Sequence, residues 1–358
     1  MASPTRPARA YRDRLTRLLA RGPKRPSELG GRSWLGVFGR TVREFIDDDL
    51  TDKAAALTYY GILSIFPGLL VLLAGVGLLG RETTDEVVAN LRALTPGPAR
   101  EIIKTGIENL QQNKGTAGVL AIVGLAAAFW SANAYIGAFM RAANKIYDVP
   151  EARPLWKTVP VRLLMTIVTG VFLAASALAV VFSGRLAAQA GRALGIEDAA
   201  VRAFDIGKWP VLVVGIALLL AMLYWVAPNA RQGGFRWVTP GSVLAVLVWI
   251  VVSAGFAIYL SYFDSYNKTY GTLGGVIIFL VWLWLTNVAV LLGAEFDAEL
   301  SRGRAIAAGL PRHAEPYLPL RDVPKASDVR EQWVPGDHDE RRDEADSPDQ
   351  AKAAERRQ

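Results

Sequence analysis

The chain contains no cysteine, so disulfides, thiolate nucleophiles and cysteine-based zinc sites are excluded. That same absence carries no information about redox compartment. Histidine is nearly as scarce. Only His313 and His338 occur, both in the polar C-terminal stretch, which removes the paired imidazoles used in much acid–base chemistry. There is no nucleotide-binding motif, no metal-ligand constellation and no cofactor signature. Nor is there an internal repeat of the kind that builds inverted-repeat transporters. Ionisable residues are nearly absent from the centres of the apolar runs, which argues against an aqueous ion pathway. The first 35 residues hold Arg6, Arg9, Arg12, Arg14, Arg17 and Arg21 but no long apolar core, so no cleavable signal peptide is expected. Such a start reads as a basic cytoplasmic tail, with a mitochondrial transit peptide as the other reading.

What the chain does have is hydrophobic length. Of 358 residues, 52% are hydrophobic, clumped into runs of about 20, the length that crosses a ~30 Å hydrocarbon core. The expected fold is all-α: a polytopic membrane protein with six transmembrane helices and flanking amphipathic helices. The spans fall at about 57–79, 117–139, 162–184, 209–227, 241–263 and 274–296. Residues 1–33 form a basic tail. Residues 34–56 hold an interfacial helix, with Trp34, Val37, Phe38, Val42, Phe45 and Ile46 at mostly helical spacing. The transmembrane domain covers 57–300, and 301–358 is a charged tail expected to be disordered. Two further amphipathic segments, 85–112 and 185–204, would roof the outer surface. Six spans place both termini on one side. Of the 40 lysines and arginines, 30 fall on that side, which makes it the cytoplasm.

Three stretches carry polar groups that need an explanation. In WSANAYIGAFMRAANKIYDV, Asn133 lies deep in the second span, with Arg141, Asn144 and Lys145 at its cytoplasmic end. Arg141 and Lys145 are one turn apart and can hold a lipid phosphate or simply snorkel. In the short outer turn near 261–275, Asn267 and Tyr270 sit beside Gly271, Gly274 and Gly275, as a headgroup-recognition loop or as an aromatic belt. In LWLTNVAVLLGAEFDAEL, Asn287 and Glu295 lie about 80° apart around a helix and about 12 Å apart along it, while Asp297 points roughly 200° from Glu295. The acids therefore do not form one metal-binding cluster. Glu295 is expected to pair with Arg141 or Lys145, or else to mark the exit from lipid. Upstream, Asp47, Asp48, Asp49 and Asp52 complement a helix N-terminus, Lys53 is placed to pair with Asp49, and Pro67 predicts a kink.

Four motifs, in order, resemble the YihY/BrkB family of bacterial inner-membrane proteins. They are DDDLTDKAAALTYYGILSIFPGLLVLL, WSANAYIGAFMRAANKIYDV, VAPNARQGGFRWVTPGSVLAVLVW and YGTLGGVIIFLVWLWLTNVAVLLGAEFDAEL, and the likeness covers about residues 33–300. The resemblance implies six transmembrane helices in a bacterial plasma membrane. It also brings an old label, ribonuclease BN, which these residues do not support. RNA hydrolysis needs a histidine pair or a water-reachable carboxylate–metal site, and here the acids are scattered. Some family members have been tied to envelope lipid transport. The expectation is thus a plasma-membrane protein, not an enzyme and without cofactor or metal, that binds or translocates a lipid or other amphipathic envelope component. The alternative is a noncatalytic scaffold that recruits partners through its charged tails. Expected partners are membrane lipids, with a homo-oligomer or envelope proteins left open, and no specific nucleic acid.

Overall fold

In the computed structural model, residues 6–77, 117–181, 198–234, 237, 239–261 and 266–323 are described. Eight α-helices build the described part: α1 (Arg6–Arg21), α2 (Gly31–Asp47), α3 (Leu50–Gly77), α4 (Ala117–Ile146), α5 (Leu155–Val181), α6 (Asp198–Val226), α7 (Thr239–Ser261) and α8 (Tyr266–Ala307). No strand occurs among the described residues. Five segments are long and apolar enough to cross a bilayer: Ile122–Ile146, Leu155–Val180, Val201–Val226, Thr239–Leu260 and Gly274–Ala307. The first expected span, 57–79, falls on α3, which is not among these five and whose apolar run passes out of the described residues after Gly77. The expected outer segment 85–112 and residues 185–197 of the other also lie outside the described residues.

The helices outrun the hydrophobic runs that predicted them. α4 continues past 139 to Ile146, α5 starts at Leu155 rather than 162, α6 starts at Asp198, and α8 continues past 296 to Ala307. Hydropathy stops where lipid contact stops, but a helix can continue wherever protein covers its polar residues. Proline does not end the helices either: Pro67, Pro160 and Pro210 sit inside α3, α5 and α6.

α8 is the axis of the fold and touches α1, α2, α3, α4, α6 and α7. Its crossing with α7 depends on two glycines. A Cβ on Gly293 would lie 2.5 Å from the Gly241 carbonyl oxygen and 2.7 Å from the Ala245 methyl, so only bare backbone permits this approach. Three tryptophans tie the bundle at membrane depth. Trp249 donates to Thr286 at 3.1 Å, Trp282 to Ser253 at 3.3 Å, and Trp284 to the Thr51 carbonyl at 3.2 Å. These bonds explain why bulky indoles lie mid-span rather than at an interface.

α2 has the form of an interfacial helix. Val37 and Thr41 are buried, and Trp34 and Phe38 pack on Phe296 of α8, with ring centroids 6.1 and 5.1 Å away. Leu35, Val42 and Ile46 remain 75%, 60% and 68% exposed, an apolar stripe with no protein over it.

The terminal segments are more ordered than their composition suggests. Within the basic stretch 1–33, α1 buries Leu15 and Leu19, and Arg304 of α8 donates to the Leu19 and Pro23 carbonyls. The expected disorder from 301 onward does not hold through Val323. α8 runs to Ala307, and Tyr317, Leu318 and Leu320 beyond it are buried. Leu320 forms an isolated antiparallel bridge with Ala230 of the α6–α7 connection. A charged composition conceals the short apolar insert Tyr317-Leu318-Pro319-Leu320, whose burial drives this docking. Residues 324–358 lie outside the described residues.

Candidate functional site

The C-terminal end of α8 carries a buried charged cluster. Arg40 of α2 and Arg302 both pair with Glu299, the latter at 3.0 Å. Arg302 also reaches Asp148 at 2.8 Å and Glu315 at 3.4 Å, and lies over the Tyr317 ring at 4.7 Å. Asp297 accepts the Gly241 N–H at 2.7 Å. Glu295 is 1% exposed, one of its carboxylate oxygens has no partner among the described residues, and its charged neighbours include the acids Glu299, Asp48, Asp148 and Glu44.

The expected pairing of Glu295 with Arg141 or Lys145 is therefore not formed. Lys145 instead bonds Asp48 at 2.8 Å and lies 3.9 Å from Asp148. The reason is the α2–α3 corner. Asp49 adopts φ 50° there, and Asp48 reaches Lys145 of α4. Asp49 thus opens α3, its carbonyl accepting the Lys53 N–H at 3.2 Å, while the Lys53 ammonium donates to the Asp48 carbonyl rather than pairing with the Asp49 carboxylate. Asp148 is drawn two ways. Burial, Glu315 and Asp48 oppose its charge, Arg302 and Lys145 favour it, and burial prevails, lifting the carboxyl to about 7. Burial also pushes the Asp48 carboxyl up, against the pull of Lys145.

Asn144 belongs to a clasp beside this cluster. It donates to Glu151 at 2.9 Å and accepts the Asn229 N–H at 2.8 Å. Asn229 is fully buried. Its amide donates to the Pro150 and Asp322 carbonyls at 3.0 and 2.9 Å and accepts the Asp322 N–H at 3.0 Å. Arg153 completes the clasp, bonding Glu151 at 2.6 Å and the Ala227 carbonyl at 2.7 Å. The Arg153 and Asn144 bonds hold the Glu151 carboxyl below its usual range, although burial opposes them. The clasp fastens the α4–α5 turn, the α6–α7 connection and residues 319–322 together.

Asn287 is likewise committed to packing. Tyr135 of α4 donates to its oxygen at 2.8 Å, and its nitrogen donates to Thr58 of α3 at 3.0 Å and to the Leu283 carbonyl at 3.1 Å. At 2% exposure it offers nothing to an external ligand. Asn267 and Tyr270 stand on the first turns of α8, and their side chains lie outside the described residues.

Asn133 and Arg141 differ from the others because they share a ridge of α4 with Gly137, at the seam where Gly137 meets Arg162 of α5. Arg162 of α5 donates its Nε to Asn133 at 2.8 Å, and the Thr166 hydroxyl lies 3.5 Å from the same oxygen. Gly137, one turn from both Asn133 and Arg141, makes room for the guanidinium: a Cβ there would lie 2.8 Å from Arg162 Nη1 and 3.2 Å from Cζ. Among the described residues, neither Arg162 nor Arg141 has a carboxylate partner. Arg162 is half-buried and Arg141 exposed. A separate recess of about 610 Å³ between α2, α7 and α8 is lined by Trp34, Pro240, Val243, Leu244, Leu247 and Phe296 among others and holds no charged group.

Arg162, Arg302, Asn229 and Arg153 were not among the candidates drawn from sequence. Arg162 could have been found. It is the one charged residue that α5 carries beyond its first turn, and it stands at the first position of the expected span 162–184. No group of three or more His, Cys, Asp or Glu side chains placed to hold a metal occurs among the described residues.

A family described as Virulence factor BrkB matches residues 41–316. A protein of Bacillus subtilis (strain 168) named "Putative ribonuclease-like protein YfkH" is 30% identical over 261 residues, covering 73% of this chain and 94% of that one. A UPF0761 membrane protein of Pseudoalteromonas translucida (strain TAC 125) is 27% identical over 272 residues, covering 74% and 86%. Another, from Stenotrophomonas maltophilia (strain R551-3), is 32% identical over 298 residues, covering 79% and 66%. No solved structure matches the chain.

Proposed function

The chain belongs to the BrkB family of membrane proteins, and from that premise we propose that it binds and translocates a lipid or a similar amphipathic component of the bacterial envelope. The observation that carries this reading is the unneutralised Arg162 inside a lipid-facing span. An arginine at membrane depth is costly unless it is paired, hydrated or functional. Here its partner is a neutral amide, although Arg40, Arg153 and Arg302 all hold carboxylates. The surrounding surface suits an amphipathic ligand. Leu164, Val171 and Leu173 of α5 are 63%, 65% and 54% exposed, which gives acyl chains an apolar wall beside one cationic opening.

In this reading the end that carries α1, α2 and residues 308–323 faces the cytoplasm across a bacterial plasma membrane, a direction supported by the excess of Lys and Arg there. No step of bond chemistry is assigned. The membrane lipids are the partners in this reading, and the docked termini shape the cytoplasmic end.

The test is leaflet exchange of a fluorescent phospholipid in liposomes holding the purified full chain. Exchange above that of protein-free liposomes is expected. Exchange equal to the protein-free rate across neutral and anionic phospholipids would overturn the reading and favour a noncatalytic scaffold.

A further inference from the structure

We propose that the α4–α5 seam at Asn133, Gly137, Arg141 and Arg162 is a binding site for a phosphate group, of the kind carried by a phospholipid headgroup. The proposal rests on the lipid-handling reading above and names the chemistry the seam recognises.

Three features of the seam converge on an anion. The first is charge without compensation. Among the described residues, Arg162 hydrogen-bonds protein only through its Nε, to the Asn133 oxygen at 2.8 Å, and its two terminal nitrogens form the planar fork that matches phosphate oxygens. Arg141 adds a second free guanidinium. It lies two turns from Asn133 on the same ridge of α4, about 6 Å along the axis from Gly137.

The second feature is a fixed geometry. Gly137 lets the guanidinium lie against the α4 backbone, where Nη1, Cζ and Cδ would meet an added Cβ at 2.8, 3.2 and 3.3 Å. Thr166 anchors its own hydroxyl on the Arg162 carbonyl at 2.8 Å and stands beside the Asn133 oxygen. The Arg162 guanidinium is therefore held by two neighbours, the Asn133 amide and the bare backbone at Gly137, whereas a snorkelling side chain would be free to follow the water.

The third is depth. Arg162 lies seven residues into α5, about 10 Å from its start, and Leu155 and Trp156 at that start are 79% and 67% exposed, as interfacial anchors are. A phosphate held at Arg162 would sit at the inner edge of the headgroup layer. Leu173, three turns farther along the same line of α5, is half exposed and continues the path into the apolar wall.

The same chemistry could take a free phosphate from solution, and the experiment separates the two sources. The full chain in detergent is titrated with dioleoyl phosphatidylglycerol, with dioleoylglycerol, which lacks the phosphate, and with inorganic phosphate. Phosphatidylglycerol is expected to bind and dioleoylglycerol not to. Arg162→Gln, and Gly137→Ala through displacement of the guanidinium, should weaken binding by about tenfold or more. Arg162→Lys, which keeps charge but loses the fork, should fall between. Arg141→Gln, at an exposed position without protein partners, should weaken binding without altering the fold. Competition by inorganic phosphate with the same Arg162 dependence would assign the site to a soluble phosphate, and its absence to the lipid headgroup. Equal binding of phosphatidylglycerol by wild type, Arg162→Gln and Arg141→Gln, or equal binding of dioleoylglycerol, overturns the proposal. Leaflet exchange that is active but indifferent to Arg162 would refute this site and leave the transport reading standing. Arg162-dependent binding with no exchange would do the reverse.

Discussion

Gly293→Ala should be one of the more damaging single-methyl changes in this protein, and its size can be worked from the α7–α8 crossing. The added Cβ would lie 2.5 Å from the Gly241 oxygen, 2.7 Å from the Ala245 methyl and 2.9 Å from the Tyr224 hydroxyl. Ordinary contact needs almost 1 Å more at each, so the helices must separate by about that much. Overpacking of this kind costs about 1–3 kcal/mol. Separation also stretches the 2.7 Å bond from Gly241 N–H to the buried Asp297, and such a hydrogen bond contributes about 0.5–1.5 kcal/mol. The better helix propensity of alanine returns about 1 kcal/mol. The net loss is roughly 0.5–3.5 kcal/mol, which lowers the melting temperature by on the order of 1–5 °C. The assay is thermal unfolding in detergent, followed by tryptophan fluorescence. Gly255→Ala on α7 is the control, because a Cβ there meets nothing within 4 Å, and it should melt at or above wild type. Equal melting of the two variants would refute the close-crossing argument.

Two further outcomes follow from the polar end. The Asp148 carboxyl, at about 7 in the folded chain against an ordinary 3.8, holds its proton where the unfolded chain has lost it. Its contribution to stability is therefore present below about pH 4 and is lost as pH rises through about 7. Asp148→Asn, which suits the φ of 49° at this position, should flatten the pH dependence of melting between pH 5 and 8, and an unchanged slope would contradict the assignment. Asn229→Ala removes three hydrogen bonds at about 1 kcal/mol each. It should free residues 319–322, so trypsin should cut at Arg312 and Arg321 faster than in wild type. Unchanged protection would mean that the apolar insert alone holds the segment.

The parts of this fold that were legible in sequence are those decided by contact with lipid. The apolar runs fall on five helices long and apolar enough to cross a bilayer because hydrocarbon tolerates little else, and α2 was readable because an interfacial helix must show two unlike faces. Polar residues were harder, because their meaning depends on which helix faces them. Glu295 and Lys145 share a level, yet the Asp49 corner delivers Asp48 to Lys145 and leaves Glu295 among acids. Asn144, Asn287 and Asn133 look alike as amides in or near a span. The first two are fully engaged by protein, while the third receives an arginine from a helix that begins earlier than hydropathy suggests. Residues 308–323 were read as a tail because four docking residues are lost in an average over a charged stretch.

The most direct test of the whole account compares Arg162→Gln with Glu295→Gln in the same leaflet-exchange assay. Arg162 is half-buried at the α4–α5 seam, whereas Glu295 is 1% exposed, so the two variants separate the proposed working group from a buried one. The account predicts that Arg162→Gln slows exchange by about tenfold while Glu295→Gln keeps the wild-type rate. Exchange that survives Arg162→Gln and is lost in Glu295→Gln would contradict it, and would move the working site from the α4–α5 seam to the carboxylates of α8.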